Sequence, residues 1–141
     1  MTIQWDDNMS VGVPVLDEDH KVLIRLINDY TDAMENDEGL MVTDSIFAAL
    51  GDYVHYHFTR EEKIMELAQY NDLEQHKKSH RALEEHFMEL RDSYVLMPGP
   101  SAERKVKEFL ENWLRSHILK VDMEYKPVCS KLVAEGKIPA E

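Results

Sequence analysis

Apolar residues recur three, four and seven positions apart along four long stretches of this chain. Such spacing places them on one face of a helix, whereas the strict alternation that marks a half-buried strand is absent from the sequence. The four apolar stripes contain Leu23, Ile24, Ile27 and Met34; Leu50, Tyr53, Val54, Ile64 and Ala68; Leu73, Leu83, Phe87 and Leu90; and Val106, Leu110, Trp113, Leu114 and Val121. The pattern predicts an all-α protein with four amphipathic helices.

Residues that cap or break helices predict where the first three helices begin and end. Asp17 can cap a first helix that runs to about residue 36, after an N-terminal arm. The second helix is predicted from about residue 41 to about residue 69. Asn71 or Asp72 can cap a third helix that reaches about residue 93. The connections between these helices are therefore short.

A firm break separates the third helix from the fourth. Residues 97–100 read Met-Pro-Gly-Pro, which cannot continue a helix, and Ser101 can cap the next one. Pro127 is predicted to limit the fourth helix and to leave a short C-terminal tail, which Gly136 and Pro139 interrupt. Because short connections make consecutive helices antiparallel neighbours, the sequence predicts an up-down-up-down four-helix bundle.

Metal-type donors lie within the same apolar stripes. His57 and Glu61 are four residues apart, as are His76 and His80, so each pair lies on one face of its helix. In the predicted topology, the starts of helices one and three meet the ends of helices two and four. Seven candidate ligands then converge at one end of the bundle: His20, His57, Glu61, His76, His80, His117 and Asp122. Because a buried polar group is costly without a partner, we expect a metal site there.

The composition of this donor set indicates which metal it holds. A structural zinc site takes four ligands and usually some cysteine, whereas this set offers five imidazoles and two carboxylates. Nitrogen and oxygen donors in that number suit a pair of iron-like ions better. His55 and His86 fall off the stripes and are assigned to solvent, and Glu62 is interpreted as a surface charge.

The seventh donor does not fit regular helical geometry. Five residues turn a helix by about 140 degrees beyond one full revolution, so Asp122 should not share a face with His117. Glu124, seven residues after His117, fits the period better. A loosened helix end ahead of Pro127 could rotate Asp122 inward. Spacing alone leaves both carboxylates open as candidates.

Length, charge and cysteine content narrow the class of protein. At 141 residues the chain fits one domain, which we assign to residues 1–141. The formal net charge of -12 argues against nucleic acid or an anionic membrane as a partner, because both favour basic surfaces. The single Cys129 excludes an internal disulfide, and neither a leader-like N-terminus nor a membrane-length apolar segment is seen. We therefore expect a soluble cytoplasmic protein without membrane insertion.

Four motifs carry most of the chemistry. In chain order they are Asp17-x-x-His20-Lys21, His57-Phe58-x-x-Glu61-Glu62, His76-x-x-x-His80 and Trp113-Leu114-x-x-His117-Ile118-x-x-x-Asp122-x-x-Tyr125. Together they resemble the hemerythrin family, most closely its single-domain bacterial members, the bacteriohemerythrins. The resemblance runs from about residue 5 to residue 129. It implies two non-haem irons joined by an oxo or hydroxo bridge, with Asp122 rather than Glu124 as the last ligand.

The same resemblance implies a role for each donor. One iron is bound by His76, His80 and His117, the other is bound by His20 and His57, and the two are bridged by Glu61 and Asp122. These ligands leave one position open, on the iron with fewer histidines. The implied function is reversible O2 binding for storage, delivery or scavenging, without catalysis, in a pocket lined by Leu23, Phe58, Trp113, Leu114 and Ile118. The alternatives are a sensor of O2 or nitric oxide that acts through a protein partner, and a di-iron oxidase or peroxidase.

Overall fold

The computed structural model describes residues 3–138, except for the side chains of residues 39–41. Its α-helices are α1 (Pro14–Glu35), α2 (Gly39–Leu67), α3 (Leu73–Leu96), α4 (Pro100–Trp113) and α5 (Lys126–Ala134). A π-helical segment, Leu114–Val121, and a 3-10 turn, Asp122–Tyr125, connect α4 to α5. No strand occurs within residues 3–138. The all-α prediction is therefore confirmed, while the predicted break at Pro139 lies outside the described residues.

The four long helices pack as an up-down-up-down bundle, as predicted. α1 packs on α2 and α4, and α3 packs on the same two helices, so the four surround one interior. The connections between them are only a few residues long, which forces consecutive helices to run antiparallel. Within the described ranges, no helix has both the length and the apolar composition needed to cross a lipid bilayer.

Asp17 does not cap the first helix, so that prediction was wrong. The helix begins three residues earlier at Pro14, where a missing backbone N–H costs nothing because the first turn has no partner for it. Asp17 instead accepts hydrogen bonds from the Ser10 hydroxyl at 2.6 Å and the Val11 backbone N–H at 2.9 Å. Its carboxylate therefore fastens the N-terminal arm to α1.

Of the predicted caps of the later helices, Ser101 was wrong, whereas Asp72 was right in position. α4 begins at Pro100 with Gly99 as its N-cap, and Ser101 lies inside the helix, so Ser101 is not the cap. Asp72 is the N-cap of α3, but its side chain makes no capping hydrogen bond. Tertiary packing thus holds these helix starts without side-chain capping.

Pro127 begins a helix instead of ending one. Winding continues from α4 through the π segment and the 3-10 turn into α5, whose first turn contains Pro127. The short tail predicted after Pro127 is thus partly the helix α5, which buries Cys129 and Leu132. The correction has a simple cause, because proline is tolerated in the first turn of a helix.

Buried apolar side chains form two clusters. The larger one fills the bundle and includes Leu23, Phe58 and Ile118. The smaller one gathers the N-terminal arm, α5 and the adjoining helix ends, and includes Leu16 and Tyr125. Along the chain, His20, Glu61 and Asp122 each fall between a member of one cluster and a member of the other, so the donors form a polar layer where the two apolar clusters meet.

Candidate metal centre

All seven predicted donors are buried. α1 supplies His20, α2 supplies His57 and Glu61, α3 supplies His76 and His80, the π segment supplies His117 and the 3-10 turn supplies Asp122. None of these residues is more than 4 % exposed. The sequence prediction that they converge at one end of the bundle agrees with this placement.

The two oxygens of Glu61 face different histidines. Its Oε1 lies 2.9 Å from Nε2 of His80 and 3.2 Å from Nε2 of His76. Its Oε2 lies 3.3 Å from Nε2 of His57 and 3.4 Å from Nε2 of His20. One carboxylate therefore lies between two groups of imidazoles and has one oxygen available to each.

Asp122 repeats this division. Its Oδ1 lies 3.0 Å from Nε2 of His76 and 3.0 Å from Nε2 of His117. Its Oδ2 lies 3.2 Å from Nε2 of His20. The three imidazoles near Asp122 thus divide in the same way as the four near Glu61.

We call these groups the three-histidine set and the two-histidine set. The three-histidine set consists of His76, His80 and His117, and the two-histidine set consists of His20 and His57. Each set, together with both carboxylates, has donor atoms that lie within 4.8 Å of one another. Because each set can surround one ion, the arrangement can hold two metal ions with two shared carboxylates.

Several donor atoms are buried close to one another but make no hydrogen bond with any described residue. Among the described residues, Nε2 of His80, Nε2 of His117 and both carboxylate oxygens of Asp122 have no hydrogen bond. Burying such groups unsatisfied is costly, and native structures rarely do it. Imidazole nitrogen and carboxylate oxygen are also donors that bind iron well. The residues present therefore fit a pair of such ions.

The π segment resolves the choice between the two carboxylates. In a π-helix the backbone bonds from residue i to residue i+5, and here the Asp122 N–H donates to the carbonyl of His117. Asp122, five residues after His117, therefore lies on the same face of the helix as His117. Asp122 is 0 % exposed, whereas Glu124 is exposed. The departure from regular winding that Asp122 requires is present.

Mutual charge stabilisation sets the protonation of the metal-free site. Burial opposes a charged His20, but the nearby carboxylates of Asp122 and Glu61 outweigh it and raise its pKa to about 10. The same balance raises the pKa of His76 to about 9. Burial disfavours the carboxylate form of Glu61, yet the surrounding imidazoles hold its pKa well below the usual range. Protons therefore occupy part of the space that metal ions would take.

Three residues outside the donor set hold it in place. Asp19 lies 2.9 Å from Nδ1 of His57, and the Tyr125 hydroxyl donates to Oε2 of Glu61 at 2.8 Å. Glu62 lies 2.7 Å from Nδ1 of His80 and is 25 % exposed, so its interpretation as a surface charge was wrong. Apolar periodicity does not identify Asp19 or Glu62, because each lies off the apolar stripes and contacts Nδ1 of an imidazole, on the side of the ring away from the other donors.

The five predicted pocket residues are all buried in the larger apolar cluster: Leu23, Phe58, Trp113, Leu114 and Ile118. Phe58 stacks on the His80 ring with centroids 3.8 Å apart and planes at 3°. Its ring also lies 5.9 Å from that of Trp113. The donors thus adjoin a dense apolar wall.

The two remaining histidines lie away from the centre. His55 and His86 are exposed, as the pattern predicted. Nδ1 of His55 lies 3.8 Å from a carboxylate oxygen of Glu84, and the His86 ring packs against Phe109 at 4.7 Å. Neither belongs to the two sets of donors.

The chain is similar in sequence to several known proteins. Residues 11–129, which include all seven donors, match the family model described as the Hemerythrin HHE cation binding domain. A bacteriohemerythrin of Pseudomonas aeruginosa is 31 % identical over 86 % of this chain and 77 % of its own length. A myohemerythrin of Theromyzon tessulatum is 32 % identical over 87 % of this chain and 90 % of its own length. A hemerythrin-like protein of Naegleria gruberi is 32 % identical, with coverages of 88 % and 91 %.

Proposed function

The chain belongs to the hemerythrin family, and on that premise we propose that it binds O2 reversibly at a non-haem di-iron centre. The observation that carries the proposal is the division of five imidazoles into two sets by two shared carboxylates. The three-histidine set would hold one iron and the two-histidine set the other, with Glu61 and Asp122 as bridges. A bound ferrous pair supplies the two electrons that reversible O2 binding uses.

The residues around the donors suit a small neutral ligand. Phe58, Trp113 and Ile118 are each at most 3 % exposed, so the wall beside the donors excludes water. Exclusion of water slows loss of a bound, partly reduced ligand by protonation. The Tyr125 hydroxyl, which donates to Glu61, fixes the orientation of that carboxylate.

The balance of ligands favours binding over catalysis. Di-iron oxidases of the ferritin-like group surround their metals with carboxylates, whereas five of the seven donors here are imidazoles. Fewer anionic ligands stabilise the ferric state less, which favours release of O2 over its activation. We therefore propose a role in oxygen storage, delivery or scavenging. The one cysteine is a buried free thiol, which suits the reducing cytoplasm where we place the protein.

A single experiment tests the proposal. Purified protein is loaded with iron, reduced without air, and titrated with O2 while its absorption spectrum is recorded. We expect about two irons per chain and an oxygenated spectrum that disappears when O2 is removed. One bound zinc with no preference for iron, or a spectrum that never reverses, would overturn it.

A further inference from the structure

We propose that Arg60, acting through Asp19, sets how strongly the imidazole of His57 donates electrons to a metal in the two-histidine set. Arg60 and Asp19 are positioning residues, because neither is one of the seven donors. The inference rests on the proposed function, since it concerns the ligands of that site. It assigns a role to a surface cation that the motif spacing leaves unexplained.

Asp19 is the centre of a compact hydrogen-bonded cluster. It is 1 % exposed. Its Oδ2 lies 2.9 Å from Nδ1 of His57 and accepts from Nε of Arg60 at 3.1 Å. Its Oδ1 accepts from Nη2 of Arg60 at 2.5 Å and from the Tyr53 hydroxyl at 3.0 Å. Three side chains therefore share one buried carboxylate.

This cluster fixes the tautomer of His57. An ionised carboxylate only accepts hydrogen bonds, so the proton of the imidazole lies on Nδ1. In the neutral ring Nε2 carries no proton and can bind a metal; it lies 3.1 Å from Nε2 of His20 and 3.3 Å from Oε2 of Glu61. A carboxylate partner on the far nitrogen makes a metal-bound imidazole a stronger electron donor.

Arg60 opposes that effect of Asp19. Its guanidinium binds both oxygens of the carboxylate and so takes up part of the negative charge that His57 would otherwise feel. The two residues therefore act on the same imidazole with opposite sign. Removing Asp19 weakens His57 as a donor, and removing Arg60 strengthens it.

His80 and His20 lack this arrangement. The partner of His80 is Glu62, which is 25 % exposed, so water shares its charge. Nδ1 of His20 is buried and has no hydrogen bond within the part of the chain that the structure describes. In the two-histidine set, a charged partner is thus found on His57, and the effect of Arg60 should be confined to that imidazole.

The position of Arg60 allows a clean test. Its side chain is 33 % exposed and lies over the Tyr56 ring at 4.8 Å, so it can be replaced without opening the core. Lys63, in the next turn of α2, is exposed and supplies a matched control. Lys63→Met removes the same charge from the same helix as Arg60→Met but leaves Asp19 untouched.

Three variants are compared with the wild type: Asp19→Asn, Arg60→Met and Lys63→Met. The first readout is the His57 Nδ1 proton in zinc-loaded protein, followed by nuclear magnetic resonance. We expect this resonance to move downfield in Arg60→Met and upfield in Asp19→Asn, because the hydrogen bond strengthens in one and weakens in the other. The second readout is the reduction potential of the iron-loaded protein, which should fall in Arg60→Met and rise in Asp19→Asn.

Opposite shifts separate this role from a merely structural one. Loss of packing alone would move both variants in one direction and would lower metal affinity in both. We expect Asp19→Asn to bind the metal of the two-histidine set about 10- to 100-fold more weakly than the wild type. Lys63→Met should bind it as strongly as the wild type. Shifts of equal sign, or no shift in Arg60→Met, would overturn the inference. Failure of the wild type to take up a metal pair would instead overturn the proposed function.

Discussion

The two histidine sets share both carboxylates but lie in different surroundings. His20 and His57 are fully buried, at 0 % exposure. The three-histidine set lies nearer to solvent, because His76 and His117 are 3 % and 4 % exposed. His117 also lines a surface cavity of about 350 Å³ between α3 and the α4–π region. The set with fewer imidazoles is therefore the more enclosed one.

This difference in burial indicates different roles for the two irons of the proposed centre. An iron that the protein saturates with ligands has nothing to exchange, so nearby solvent does little harm. An iron with an open position needs enclosure, because water and protons would compete for that position. In the proposed centre, the more enclosed set is the one whose iron would keep an open position. Each prediction below breaks or sharpens this comparison.

Loss of a shared carboxylate should affect both sets at once. We expect Glu61→Ala to abolish stable binding of the metal pair and to destabilise the fold by roughly 3 kcal/mol, because buried imidazolium groups lose their partner. Metal analysis and thermal unfolding measure the two effects. His86→Ala serves as the control and should keep the full metal content. Equal metal content in both variants would contradict the shared role of Glu61.

Loss of one imidazole from the enclosed set should affect that set alone. We expect His57→Ala to retain about one metal ion per chain, because the three-histidine set keeps all its donors. Reversible O2 binding should disappear with the ion that is lost. The matched control is His55→Ala, two residues away and exposed, which should hold the same metal as the wild type. Loss of both ions from His57→Ala would show that the sets do not bind independently.

The π segment offers a test at the second bridge. Asp122→Ala should eliminate the oxygenated spectrum or make oxidation of the reduced protein very fast, since both sets lose an oxygen donor. Glu124→Ala should change O2 affinity little, because its carboxylate is exposed. O2 titration of the two variants measures this ranking. The reverse ranking would mean that regular helical period had been the better guide.

The metal-free protein should be most stable in mildly acidic solution. The pKa of His20 rises on folding to about 10 and that of His76 to about 9, so their contribution is full below 6.5 and is lost as pH rises towards these values. The pKa of Glu61 falls on folding, so its contribution is present above its unfolded value near 4.5 and is lost as pH falls below that. Denaturant unfolding of the metal-free protein, measured at intervals of roughly one pH unit between pH 3 and 10, tests both the acidic and the alkaline loss of stability.

The metal-loaded protein supplies the contrast for that experiment. Metal ions replace the imidazole protons, so the alkaline loss of stability should be absent once the site is filled. Metal uptake near neutral pH should also release protons, chiefly from His20 and His76. If stability falls equally at high pH with and without metal, the protons that His20 and His76 lose at high pH are not the ones that metal ions replace.

Much of the donor set could be predicted because helices are local. The spacing of His57 with Glu61, and of His76 with His80, fixes a shared face whatever the tertiary structure. The short connections then determine which helix ends meet, and that places His20 beside them. Both steps use only the helical period and the direction in which each helix runs, and both can be obtained from the sequence.

The remaining features depend on tertiary contacts that have no period. Asp17 fastens the arm in place of capping α1, because the arm folds back to offer it two donors. Glu62 turns towards His80 across the interface between α2 and α3. The side chain of Asp122 turns inward because the backbone there has π winding. A regular α-helical period excludes this winding, whereas the family resemblance implied it. The spacing of residues alone could not decide between Asp122 and Glu124 as the seventh donor.

The polar layer between the two apolar clusters has a consequence for cooperativity. Leu23 and Phe58 belong to one cluster and Leu16 and Tyr125 to the other, with the donors between them. In the metal-free protein, several donor atoms of this layer are buried without a hydrogen bond to any described residue, which weakens the connection. The arm and α5 should then exchange their amide hydrogens as a separate unit of lower stability. Filled with metal, the same layer ties both bodies into a single unfolding unit.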